Sequence, residues 1–240
     1  MTVRPLIFLV SLVSLMAVVV VACATPHTAA SSTTPTLVSC PTDGQVGPLA
    51  SPTVLPPMVS MTPTQASALA YYASGVHIGV LAPRGLRCAC WYGAAGAVLT
   101  LRTGGVDGPV VVAVNAMLTD TSGRFAAARL MARVFPARAA FVDAIAAEGR
   151  EPKPVAGPFA DDVLERIGDD VVHFRTPAGQ VGLGSLADLL PGAAPTRGVA
   201  IATDEATLLL AHQLSEDVVD EDLVAVIAAQ FELESLPPTR

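Results

Sequence analysis

The residues best suited to chemistry crowd into one stretch, 76–102 (VHIGVLAPRGLRCACWYGAAGAVLTLR), which holds two of the four cysteines and the only tryptophan. Cys88-Ala89-Cys90 with His77 could form a metal or redox site. Metal-binding cysteines usually stand two to four residues apart with partners elsewhere, and redox dithiols favour two intervening residues, so a single spacer suits neither. No metal site and no cofactor is expected. Arg84, Trp91 and Tyr92 offer instead a cation and two aromatic faces, the composition of a binding surface.

Outside this stretch, Arg124, Arg129, Arg133 and Arg138 lie on or just after one predicted helix, and Arg129 and Arg133, four apart, share a face that could take an anionic surface polymer. The default for such a run is a solvated face. His77, His173 and His212 each fall on a predicted strand, where a lone histidine is usually structural. Ser122 and Ser185 lack the Gly-x-Ser-x-Gly frame of a hydrolase nucleophile and read as helix starts. The acidic pairs Asp161-Asp162 and Asp169-Asp170 are adjacent residues whose side chains diverge, a poor arrangement for paired acid–base work. Gly179–Ser185 (GQVGLGS) lacks the lysine of a phosphate-cradling loop and reads as a turn whose glycines permit positive φ. No catalytic residue is assigned.

The N-terminus carries a destination. Arg4 precedes an apolar run from Leu6 to Ala22, the layout of an export signal. Val20-Val21-Ala22-Cys23 resembles a bacterial lipobox: an aliphatic residue three before the cysteine, a small residue just before it, then the cysteine. The resemblance implies that residues 1–22 are a lipoprotein signal peptide. The thiol of Cys23 then takes a diacylglycerol, and the new amino terminus takes an acyl chain such as palmitate. Several acyl chains anchor firmly, at about 0.8 kcal/mol per buried methylene. Ala24, where an acidic residue would retain the protein at the inner membrane, implies the outer membrane if the host is Gram-negative. The alternatives are a general secretory signal and an uncleaved anchor, since an apolar run of this length can just span a bilayer.

Lipidation of Cys23 would leave Cys40, Cys88 and Cys90. Export places them in an oxidising compartment, so one bridge and one leftover thiol are expected. Cys88 and Cys90 lie on the same face of an extended segment and would bridge only under strain. The expected pair is Cys40–Cys88, with Cys40–Cys90 as the competitor.

Residues 23–63 are rich in Thr, Ser, Pro and Ala and read as a flexible tether; residues 64–240 would then be the globular domain. Thr62-Pro63-Thr64-Gln65 predicts a capped helix running to about Ser74. Strands are expected over 76–82, 97–102, 109–117 and 171–175, and a hairpin over 198–203 and 207–214. Helices are expected over 122–135, 139–148 and 220–233. Strands and helices are partly segregated, which predicts a single α+β domain with a mixed or antiparallel sheet and flanking helices. The whole chain carries 14 Lys plus Arg against 21 Asp plus Glu, an acidic balance that excludes nucleic acid as a partner.

Ala82-Pro83-Arg84-Gly85-Leu86-Arg87-Cys88, followed by Trp91-Tyr92-Gly93, resembles an uncharacterised family of exported bacterial proteins with an Ala-Pro-Arg-Gly-aromatic-x-Cys segment and a nearby Tyr-Gly. The likeness extends through Thr121–Phe125, Thr176-Pro177, Gly182–Gly184 and Gly198–Ile201, with Leu86 in place of the aromatic and Cys90 as an addition. The family implies export and a real domain, and no chemistry. The expectation is a cell-envelope lipoprotein that contacts the membrane through its anchor and binds or supports an envelope protein or the cell wall. An enzyme with a site near Cys88–Tyr92, or a thiol-based redox accessory protein, are the alternatives.

Overall fold

Along the longest strands, apolar residues alternate between two faces, and that alternation sets the layers. The computed structural model describes residues 33–105 and 107–236. In order, these form β1 (Thr36–Ser39), β2 (Thr42–Gly44), α1 (Pro63–Ala68), β3 (Leu69–Ala73), β4 (Gly79–Pro83), β5 (Arg87–Gly93), β6 (Gly96–Arg102) and β7 (Val110–Leu118). There follow α2 (Arg124–Val134), α3 (Ala139–Ala147), β8 (Val163–Arg166), β9 (Val171–Thr176), β10 (Thr196–Ala202), β11 (Ala206–His212) and α4 (Glu221–Ser235). The result is an α+β domain, as the partial segregation of strands and helices along the sequence predicts.

Eight strands form one sheet in the order β2-β5-β6-β7-β11-β10-β9-β8, and three form a second in the order β1-β3-β4. Both are mixed: β2 runs parallel to β5 and β1 parallel to β3, and every other pairing is antiparallel. The large sheet joins two meanders, β5–β7 and β8–β11, where β7 pairs with β11 over seven residues, His212 to Ala206. One face carries Leu99, Leu101, Val112, Val114, Val199 and Ile201, packed against the small sheet and α4. The other carries Ala113, Ala200, Ala202 and Ala211 beneath Ala127 and Leu130 of α2 and the short 3-10 turn Leu183–Ala187. Alanines on both partners let helix and sheet approach closely. Gly198 sits where the backbone itself is crowded, since a Cβ there would meet the Leu210 carbonyl at 1.9 Å and the Phe174 ring at 2.6 Å.

Three expectations need correction. Residues 36–44, read as tether, enter both sheets, and Cys40 is buried. Leu55, Met58 and Val59 also pack against the core. The apolar content of 33–63 is low but placed at contact points, and partners distant in sequence supply the hydrogen bonds that composition cannot reveal. The predicted helix to Ser74 stops at Ala68. Its capping box is present, with the Thr62 hydroxyl accepting from Gln65 N–H, but the next five residues form β3 and every one is buried. A central strand covered on both faces shows no alternation to distinguish it from a helix. His77, expected on a strand, occupies the β3–β4 turn at φ 60°. The short edge strand β8 lies in a stretch for which no element is expected from the sequence.

The signal peptide and Cys23 lie outside the described residues. Among the described residues no helix is long and apolar enough to cross a membrane.

Candidate functional site

Cys40 and Cys88 are joined by a disulfide, which ties the turn between β1 and β2 to β5. Cys88 and Cys90 do share the face of β5 that meets the small sheet, yet Cys90 is a free, buried thiol. Burial pushes the Cys90 thiol up, with a weaker opposing effect from Ser74. A raised thiol shielded from solvent is the reverse of a redox-active cysteine. Among the described residues no cluster of His, Cys, Asp or Glu could hold a metal ion.

The other residues singled out by type are scattered and mostly occupied. Arg84 donates from Nε to the Leu69 carbonyl at 3.0 Å and from Nη2 to the Ala66 carbonyl at 3.1 Å, closing the end of α1. Tyr92 donates to the Gly47 carbonyl at 2.7 Å. Trp91 points to the opposite face of β5 and is 62% exposed. Arg129 pairs with Glu151, and Arg133 stacks on Phe159 at 3.6 Å and donates to Gly157, so both hold down the proline-rich loop after α3. Asp162 accepts from the Thr176 hydroxyl at 2.5 Å and from Leu183 N–H at 3.2 Å, while Asp170 pairs with Arg138 at 2.8 Å. These residues do not converge.

Convergence occurs elsewhere, in a groove of about 280 Å³ between α4 and the β8–β11 end of the large sheet. Strand register builds it. Val163, Arg175, Arg197 and His212 lie opposite one another on β8, β9, β10 and β11, and all four line the groove. One step along, Glu165, His173, Val199 and Leu210 form the adjacent row. Val224, Ile227 and Ala228 of α4 form the roof. Asp220 caps the helix by accepting from Leu223 N–H at 2.9 Å.

The polar groups of the groove are unequally satisfied. His173 Nε2 lies 2.6 Å from Glu232 Oε1 on α4, a pairing that fixes the ring. Arg197 donates to both carboxylate oxygens of Glu221 at 2.6 Å and lies 3.5 Å from Glu216. The guanidinium of Arg197 beside Glu221 holds that carboxyl below its usual range. Arg175, directly across from Arg197, has no hydrogen bond or ion pair among the described residues. His212 is 3% exposed, and its Nδ1 has no hydrogen-bond partner. Burial, reinforced by Arg197, pushes its imidazole down to about 4, so the ring is neutral near pH 7.

Among the described residues no hydroxyl or thiol lines this groove. Its chemistry is that of a mostly apolar floor with guanidinium and imidazole groups at one side, able to hold a ligand by its polar end. His173 and His212 are visible in the sequence, and so is the alternation Val172-His173-Phe174-Arg175. Only the register across four strands shows that they share one face with Arg197.

No family model, no curated protein and no solved structure matches this chain.

Proposed function

We propose that the protein is a lipid-anchored binding module of the bacterial cell envelope, exported by its first 22 residues, attached through Cys23, and binding its ligand in the groove beneath α4. The observation that carries the binding half is the groove itself, in which apolar side chains of β10, β11 and α4 meet a row of guanidinium and imidazole groups. Attachment rests on the resemblance of Val20-Val21-Ala22-Cys23 to a lipobox. The resemblance around Ala82–Gly93 to exported bacterial proteins supports the same destination.

Intact mass of the protein extracted from its native membrane tests the anchor. The expected species begins at Cys23 and carries its acyl groups. A chain that keeps residues 1–22, or an unmodified Cys23, refutes the anchor. Thiol alkylation in denaturant without reduction gives a second reading: one reactive cysteine, Cys90, if Cys23 is lipidated, and two if it is not.

A further inference from the structure

A second cavity, of about 230 Å³, lies between the C-terminal turn of α4, the β3–β4 turn and the segment 52–56. Among the described residues that line it, Glu234 is the only carboxylate, and no lysine or arginine is present. Glu234 Oε2 accepts from the Tyr71 hydroxyl and Oε1 accepts from Gln230 Nε2 at 2.6 Å. Both donors are uncharged, and no cation compensates the carboxylate among the described residues. α4 also has no basic residue in its last turn, where the helix dipole favours one. Burial raises the Glu234 carboxyl, against the smaller effect of its two hydrogen bonds. A half-buried negative charge thus stands at the negative end of a helix without a counterion, a cost that a bound cation would relieve.

The other polar groups of the cavity can act as acceptors as well. Burial first, and then Glu234, raises the Tyr71 hydroxyl above its ordinary value, so it stays protonated, donates to Glu234 and keeps oxygen lone pairs free. Gly79 makes that reach possible, since a Cβ there would collide with Tyr71 Oη. Ser74 commits its hydroxyl proton to the Ile78 carbonyl at 2.8 Å. His77 is exposed and holds φ 60°, a left-handed conformation that costs energy and recurs in ligand clamps. Its ring has no hydrogen-bond partner among the described residues and can accept one. An alkylammonium carries three donors and no acceptor, the complement of such a lining. Leu55, Pro56 and Ile78 complete the wall with apolar surface. The volume falls below that of cavities for drug-sized ligands, so the occupant is short. We infer that this cavity binds a small primary amine, its ammonium held by the Glu234 carboxylate with Tyr71 Oη and His77 as further acceptors. The site is distinct from the groove lined by Val224, Ile227 and Ala228 of the same helix, and neither depends on the other.

NMR titration of the full chain in phosphatidylcholine nanodiscs tests this with three probes that share one alkyl chain: butylamine, butanol and butyltrimethylammonium. Butylamine is expected to saturate one site per chain, with shift changes centred on the rings of Tyr71 and His77, and to bind more tightly than either of the others. Glu234→Gln keeps the length of the side chain and an acceptor for Tyr71. It should weaken butylamine at least tenfold, because hydrogen bonds to a charged group are the strong ones, and leave butanol unchanged. Butylamine binding that is indifferent to Glu234→Gln overturns the inference. In the natural chain, a failure of butylamine to saturate, or shifts centred away from Tyr71 and His77, overturns it without recourse to the variant. Butanol or butyltrimethylammonium binding as tightly as butylamine does so too, the first by showing that charge is not needed and the second that donors are not.

Discussion

His212 ties the stability of this domain to pH in a way that can be worked through. Its imidazole is buried at the groove end of β11 and titrates at about 4 in the folded protein, against 6.5 for the free side chain. The cause is first the loss of solvent and second the positive field of Arg197. Between pH 6.5 and 4 the unfolded chain therefore holds more protons than the folded one, and stability falls as pH drops through this window. The full loss is about 3 kcal/mol, from 1.36 kcal/mol per unit of pKa difference. At pH 5.0 the loss relative to pH 7.5 is about 2 kcal/mol. Urea unfolding at these two pH values, for the natural chain and for His212→Gln, isolates the effect, because every other titrating group is common to both and cancels in the difference. The natural chain should lose about 2 kcal/mol more than the variant on acidification. Equal losses refute the reasoning. So does an NMR titration that places the His212 midpoint near 6.5, a measurement that does not depend on the variant folding.

The remaining predictions concern what holds the groove and the small sheet in place. The Cys40–Cys88 bridge spans a sequence separation of 48, and its removal in the double serine variant should cost about 4 kcal/mol if its effect is entropic; an unchanged urea midpoint would contradict this. Gln230 is fully buried and links α4 to the segment below it, accepting from Val59 N–H at 2.8 Å and donating to the Pro57 carbonyl at 3.0 Å and Glu234 at 2.6 Å. Gln230→Leu should lose about 1–3 kcal/mol and speed amide exchange at Val59, with unaltered exchange counting against the role. Asp220→Ala removes the N-cap of α4 and should cost about 1 kcal/mol in chemical denaturation. A neutral outcome would mean that the roof helix depends on packing alone.

Legibility in the sequence follows the range of the interactions. The β-branched run of β7, the β10–β11 hairpin and the helices α2, α3 and α4 could be read because their signals are local: periodicity, turn residues and caps. The Cys40–Cys88 pairing was legible too, because excluding a strained bridge between Cys88 and Cys90 left few partners. The residues at β1 and β2 read as tether because four- and three-residue strands in a proline-rich stretch carry no periodicity of their own. Where α1 ends is equally non-local. Leu69-Ala70-Tyr71-Tyr72-Ala73 is stopped from continuing the helix by burial on both faces, with no glycine or proline at the junction. The groove was hidden for a related reason. Arg175, Arg197 and His212 are each unremarkable alone, and their meeting depends on which residue of β10 faces which residue of β9 and β11. Register is a pairwise property of strands that no single stretch of sequence states.

The bridge between the first turn and β5 also decides how the domain carries mechanical load. A pull applied through the residues preceding Thr36 would first shear the four paired residues of β1 from β3. It would then meet a covalent bond at Cys40, and the load would pass through Cys88 into β5, a seven-residue strand held by β6 on one side and β2 on the other. Once β1 has detached, α1, β3 and β4, which all lie within the closed loop from residue 40 to residue 88, stay out of the path of the force. Tension arriving from the N-terminal side would thus be borne by the large sheet, while β3 and β4, packed against its face, remain unstretched.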